Sequence, residues 1–414
     1  MKPQSLIALV LAAAALGVGA YLVTRSGSSS STSDTSPISP LFPELRDAAA
    51  RISTILITRP TGVTTVSKKN DAWVLPDMAD YPVQLSHVTG LIGGLADLRP
   101  IEKKTSSPNL YPKLGVQDVA PSTSPNSASP EAPPVEGTPT LVTLKDDADA
   151  SLLSVIVGNT KWNVDGSGNS AGVYVRKAGD TQSWLARPGP SGAATQGGAI
   201  DLPPDALGWI DRTIINIPRD RIQRVTIVSP TGQTLSASRP QPGQTTFTLD
   251  PMPEGRELAA PNSADTITSA LGFLSVDDIV AAGDAAFLND ADSAIGEFHT
   301  FDGLVITTRT KASGGKWYIS FAASIDDAAL PTPPEPKPVA DTAAAPAPAP
   351  RKSADDIRKQ AADLNAKVAR WAFVIPEYKA KSFQTRIDDL LKPLPPTPLL
   401  DEPSEGPPPG TPSP

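Results

Sequence analysis

The side chains of this chain that could do chemistry are few: a serine between glycines, two histidines, alternating Asp/Ser/Asn oxygens and some adjacent acid pairs. Gly168-Asn-Ser-Ala-Gly172 matches the Gly-x-Ser-x-Gly spacing of a hydrolase nucleophile elbow. That chemistry needs a strand before the serine and a helix directly after it, so that the hydroxyl stands on a strained turn. Ser170 is followed instead by Val173-Tyr-Val-Arg176, a strand-like run, so the segment is expected to be a hairpin loop. A base for Ser170 could come only from His87 or His299. His87 precedes an apolar helical face and is expected at a helix start, while His299 lies between Phe298 and Phe301 and is expected half-buried in a strand.

Asp165-Gly-Ser-Gly-Asn169 begins like a calcium loop, with oxygens at alternate positions. It then departs from that pattern, since position six is Ser170 where glycine is needed and position twelve is Arg176 where a bidentate Glu is needed. Asp290-Ala-Asp292 offers a second weak cation site and is expected to be a solvated turn. Without thiols and without a His-x-x-x-His spacing, a zinc site has no ligand set. Asp277-Asp278, Asp326-Asp327 and Asp388-Asp389 are neighbours in sequence, and neighbours do not face each other on a helix or strand. The sequence therefore assigns no catalytic, cofactor-binding or metal-ligating residue and calls for no cofactor. Six tryptophans, at 73, 162, 184, 209, 317 and 371, suit the cores of small β-rich units; a row of exposed aromatics for glycan or peptide binding is the sharper alternative.

The elements that would hold these residues read as one unit written twice. Ile55-Leu-Ile-Thr-Arg-Pro-Thr-Gly62, Ala72-Trp-Val-Leu-Pro-Asp77 and an apolar-periodic run from Val88 to Leu98 come first. Val225-Thr-Ile-Val-Ser-Pro-Thr-Gly232, Thr246-Phe-Thr-Leu-Asp-Pro251 and a run from Ile267 to Ile279 follow in the same order. Each copy predicts a strand ending in a Pro-Thr-Gly turn, a second strand closed by an Asp/Pro pair, and a helix. A four-strand meander is predicted from Thr140–Leu144, Leu152–Val157, Val173–Val175 and Ser183–Ala186. Phe298 to Thr308, Lys316 to Ala322 and Trp371 to Ile375 are its counterparts in the second copy. Helices are predicted over Pro203 to Asn216, Ser353 to Arg370 with Ser353 as N-cap, and Phe383 to Leu391.

The fold class expected is therefore α+β: two tandem repeats of a small mixed sheet and helix unit behind one N-terminal transmembrane helix. Residues 1–25 read as a signal-anchor, because Leu6 to Val23 carry no charge and lie between Lys2 and Arg25. Val18-Gly-Ala20 offers the competing reading of a cleavable signal peptide. Residues 26–41 read as a flexible Ser/Thr-rich tether, 42–218 as the first repeat with a disordered Pro-rich insertion at 119–139, and 219–392 as the second with one at 328–352. Residues 393–414 read as a disordered, acidic Pro-rich tail. The net charge of −8 argues against a nucleic-acid partner, and the absence of cysteine excludes disulfides, thiolate chemistry and a lipoprotein anchor.

Trp209-Ile-Asp-Arg-Thr-Ile-Ile-Asn-Ile-Pro218 with Arg221-Ile-Gln-Arg-Val225 resembles the centre of a bacterial envelope family, domain of unknown function 4340. Ile375-Pro-Glu-Tyr-Lys-Ala-Lys-Ser-Phe383 with Asp388-Asp-Leu-Leu391 is similar to that family's closing motif, and the likeness covers residues about 50 to 393 apart from the Pro-rich insertions. The resemblance implies an N-terminal membrane segment at residues 6–23 in the bacterial inner membrane, the bulk of the chain in the periplasm, and no catalytic residues. It also implies, by gene neighbourhood, permease or auxiliary subunits of a gliding-type ABC transporter as partners, in a non-enzymatic accessory or scaffold role. A periplasmic module binding a glycan, lipid or peptide between the repeats is the alternative, and a serine hydrolase the outside one.

Overall fold

Alternating side chains build a first antiparallel sheet in this computed structural model, which describes residues 39–119, 137–164, 166, 170–188, 200–331 and 352–393. Its strands are β1 (Thr54–Arg59), β2 (Gly62–Lys69), β3 (Ala72–Leu75), β4 (Tyr81–Pro82), β5 (Arg99–Lys103), β6 (Thr140–Lys145), β7 (Ser151–Trp162), β8 (Ala171–Lys177) and β9 (Ser183–Arg187). They lie in the order β4-β3-β2-β1-β6-β7-β8-β9-β5. Ile55 and Ile57 stand opposite Leu144 and Val142, and all four are fully buried, so one face of each strand carries the core. The Lys68–Asp71 cluster closes the β2–β3 hairpin with Asn70 and Asp71 both at positive φ, the backbone that a two-residue hairpin loop demands. Val88, Leu91 and Leu95 line the buried side of the helix Leu85–Ala96, as their spacing requires.

The second half of the chain supplies β10 (Thr213–Ile215), β11 (Ile222–Val228), β12 (Thr234–Ser238), β13 (Thr248–Leu249), β14 (Leu274–Ser275), β15 (Asp278–Ala281), β16 (Ala294–Thr300), β17 (Leu304–Ser313), β18 (Lys316–Ile325) and β19 (Trp371–Ile375). β10 and β14 pair with each other, and the rest form a sheet in the order β13-β12-β11-β16-β17-β18-β19-β15. Leaving β4 aside, the first sheet runs β3-β2-β1-β6-β7-β8-β9-β5, so strands placed alike in the two halves hold the same positions.

Several expected elements differ. The run from Ile267 to Ile279 is a helix for one turn only, Asp265–Thr268, before giving way to β14 and β15. Gly272 and Phe273, the latter at φ 46°, break the helical path, and the buried Leu274 and Val276 then alternate as strand residues do. Pro203 to Asn216 forms the 3-10 turn Ala206–Trp209 and the strand β10. Asp205 caps that turn by accepting from the Gly208 amide, and a Cβ on Gly208 would come within 2.6 Å of Pro203 Cβ, so the Pro-Pro approach is built around a glycine. Phe383 to Leu391 likewise holds only the 3-10 turn Ile387–Leu390, after the short helix Glu377–Ser382. Phe298 to Thr308 is two strands, β16 and β17, divided at Gly303, whose φ of 85° favours a residue without Cβ.

The helix Ala354–Val368 forms as its caps predict, with a reciprocal capping box between Ser353 and Asp356. It lies against β18. β19 pairs with β18 only over Trp317 to Ile319, and beyond that point Asn365 takes its place. The Asn365 side chain accepts from the Ala323 amide at 2.8 Å and donates to the Ala323 carbonyl at 2.7 Å, satisfying an edge that would otherwise be open.

Buried residues of both sheets belong to one continuous apolar cluster. At the seam Tyr81 packs edge-on against Trp371, with centroids 4.9 Å apart, and against Phe373 at 6.2 Å. The Trp371 indole donates to the Ala79 carbonyl at 2.8 Å, and the Gln84 amide donates to the Trp209 carbonyl at 2.8 Å. The anchor expected over Leu6 to Val23 lies outside the described residues, as do most of the tether, the Pro-rich insertions and the tail. Among the described residues no helix is long and apolar enough to cross a membrane.

Candidate functional site

The residues singled out for chemistry are dispersed, and most are engaged elsewhere. Ser170 is buried and leads directly into strand β8, its carbonyl accepting from the Asn163 amide. Asp165 and residues 167–169 of the calcium-like loop lie outside the described residues. His87 is the third residue of the helix Leu85–Ala96; its Nδ1 lies 2.7 Å from the Asp201 carboxylate, and its ring meets the Trp209 ring at 6.1 Å. His299 sits half-buried in β16, as expected, with Glu297 at 3.7 Å. Burial first, and the Arg224 charge second, push its pKa below the usual histidine value.

Asp290 and Asp292 both face the Lys311 ammonium, at 2.9 and 2.5 Å, which occupies the position a cation would take. Hydrogen bonds from Lys311 hold the Asp292 carboxyl below its usual range, and the same bonds raise the Lys311 pKa. Among the described residues no group of three His, Cys, Asp or Glu side chains is placed to hold a metal ion. The adjacent acid pairs diverge. Asp277 faces Arg212 and Asp278 faces Lys316; Asp326 caps a 3-10 turn while Asp327 faces Arg358. Asp388 faces Arg256, and Asp389 accepts from the Arg386 amide.

The tryptophans do not form an exposed row. Trp209 and Trp371 are buried, Trp73, Trp184 and Trp317 are half-buried, and Trp162 is 63% exposed. At the seam Tyr81, Trp371 and Phe373 pack on one another. Burial pushes the Tyr81 hydroxyl up to about 12, with the Asp211 charge as the second cause.

What the fold does assemble is a polar cleft of about 530 Å³ on the second sheet. Pairing of β11 with β12 and β16 sets Ser238, Arg224 and His299 in one row, and Ser236 stands beside Thr226 in the next. Asp250 and Asp326 close the sides. The floor is pinned by Arg239, which is 3% exposed and lies over the Phe247 and Phe301 rings at 4.7 and 5.3 Å. Its guanidinium donates to the carbonyls of Ile222, Arg219, Asp220 and Gln244, and burial lowers its pKa. Arg239 is therefore fully committed to structure. Arg224 is exposed and makes no ion pair among the described residues, so it is the cation the cleft offers to solvent. The arrangement offers hydrogen-bond donors and acceptors, which suits holding a polar group. Sequence reading missed it because β11 and β12 place Arg224 and Ser238 together only through pairing; neither stands in a motif.

Residues 73–293, more than half of the chain, match the family described as Domain of unknown function (DUF4340). The chain belongs to this family. The match runs from β3 through the Trp209 segment to Ser293, so it is narrower than the 50-to-393 likeness expected and does not reach the closing motif. No curated protein and no solved structure matches the chain.

Proposed function

We propose that this chain is a non-enzymatic accessory or scaffold protein, anchored in the bacterial inner membrane with its body in the periplasm. Its body is two copies of one unit, and it serves as an auxiliary subunit of a gliding-type ABC transport system. The observation that carries the non-catalytic reading is that most candidate side chains among the described residues are committed to another task. Lys311 neutralises Asp290 and Asp292, His87 faces Asp201, and Ser170 gives way to a strand. The common strand order of the two sheets supports the duplication, and the shared core supports a rigid body that presents faces and edges. The uncharged Leu6–Val23 stretch supports the anchor.

Co-purification of the tagged full-length chain from membranes tests the role: transporter permease or auxiliary subunits are expected in the eluate. Recovery of the chain alone, with cellular function intact, would sink the accessory reading. A periplasmic binding module is the second reading, and the unpaired Arg224 in the polar cleft favours it. On that reading Arg224→Ala abolishes function while any co-purifying partners are retained.

A further inference from the structure

The two sheets run through their strands alike, yet their far edges end differently. In the second sheet the edge is covered from within the chain. The turn Pro76–Met78 packs against β15, Ala79 receives the Trp371 indole hydrogen bond, and Tyr81 packs on Trp371 and Phe373. In the first sheet β5 and β9 hold the positions of β15 and β19. Lys103 pairs there with Trp184 as Ala281 pairs with Trp371, so Trp184 is the counterpart of Trp371. Among the described residues, no element packs on this copy of the edge as Pro76–Met78 packs on the other. Ile101 of β5 is 42% exposed, and Trp184 is half-buried beneath the Lys103 ammonium at 5.3 Å.

The complementary loop is also exposed. The loop after β13 stands in sequence where Pro76–Met78 stands after β3, and its Met252 is 40% exposed. Charge gives an independent indication. Arg99 and Lys103 on β5, and Asp250 and Glu254 on the loop, make no ion pairs among the described residues. The two surfaces therefore carry opposite unpaired charge.

We propose that copies of this chain associate head to tail, the loop around Met252 of one copy lying on the β5–β9 edge of the next. Met252 covers Ile101 and Trp184, and Asp250 and Glu254 face Arg99 and Lys103, so the contact repeats between molecules the seam that each molecule has inside it. The two surfaces differ, so the association is heterologous and can add further copies. The inference rests on the matching strand order of the two sheets and is independent of any transporter.

The chain has no cysteine, so introduced thiols report on one contact alone. Full-length chains carrying Ile101→Cys or Met252→Cys are expressed in the same membranes, separately and together, and oxidised. A disulfide-linked dimer is expected only when both are present, and the chain carrying both substitutions is expected to give a ladder. Glu254→Lys should diminish the dimer, and adding Lys103→Glu should restore it. The proposal is overturned if Ile101→Cys with Met252→Cys cross-links no better than Val63→Cys with Met252→Cys, a control on an exposed residue of β2. It is equally overturned by dimers through Ile101→Cys alone, which indicate a two-fold contact. Cross-linking of Ile101→Cys to a different protein, without the mixed dimer, would assign the edge to that protein. None of these failures would alter the co-purification result.

Discussion

Two buried tryptophans at the seam behave differently because of one hydrogen bond. The Trp371 indole donates to Ala79, whereas the Trp209 indole nitrogen is buried with no hydrogen-bond partner among the described residues. Trp371→Phe keeps most of the ring but leaves the Ala79 carbonyl unpaired, which should cost about 1–3 kcal/mol. Trp209→Phe loses no hydrogen bond and should cost only the volume it removes. Denaturant unfolding of the two variants checks this, and equal losses would mean that the Ala79 bond contributes nothing. His299 gives a pH prediction. Its pKa is lowered in the folded state from an ordinary value of 6.5, chiefly by burial. Above 6.5 both folded and unfolded chains hold it neutral, so its contribution is fully present. As pH falls below 6.5 the unfolded chain takes up the proton first, and stability declines until the folded pKa is passed. His299→Gln should flatten that part of a stability–pH profile measured by thermal melting; an unchanged slope would contradict it.

At the scale of elements, the helix Ala354–Val368 depends on its start and on one asparagine. Ser353→Ala removes the cap and half of the box with Asp356, at a cost of about 1 kcal/mol. Asn365→Ala uncovers the Ala323 amide and carbonyl at an edge β19 does not reach, and should cost about 1–3 kcal/mol. Hydrogen exchange at Ala323 should quicken in the Asn365 variant, and protection equal to the parent would show that another group serves this edge. The same scale shows why helix prediction failed over Ile267 to Ile279. Apolar residues at both period-two and period-three-to-four spacing suit either element, and Phe273 at positive φ decides locally for a turn and strands. The Leu85–Ala96 helix was legible because its apolar residues fit only one face.

At the scale of the whole molecule, the accessory reading makes demands on topology and on the serine. A reporter active only outside the cytoplasm, fused after Pro414, should be active, and the chain should resist extraction by carbonate. Release into a soluble fraction with an N-terminus near Tyr21 would show cleavage after Ala20. Ser170→Ala should leave cellular function unchanged, since β8 follows the serine directly. A folded Ser170→Ala chain that has lost function would instead place the hydrolase reading first.

The sequence by itself determined the elements whose signal is local. The β2–β3 hairpin follows from Lys68 to Asp71, the capped helix from Ser353, and the meander β6 to β9 from alternating residues. The mixed α+β character was legible for the same reason, because strand-like and helix-like periods both occur along the chain. Tertiary structure decided what no spacing encodes. Trp371 meets Tyr81 across 290 positions of sequence because a seam needs apolar cover. Lys311 reaches Asp290 and Asp292 because β16–β17 pairing brings it there. Arg224, Ser238 and His299 share a row only once β12, β11 and β16 are in register. Such sites arise from long-range pairing, where the free energy comes from burial summed over the core, and no short segment records it.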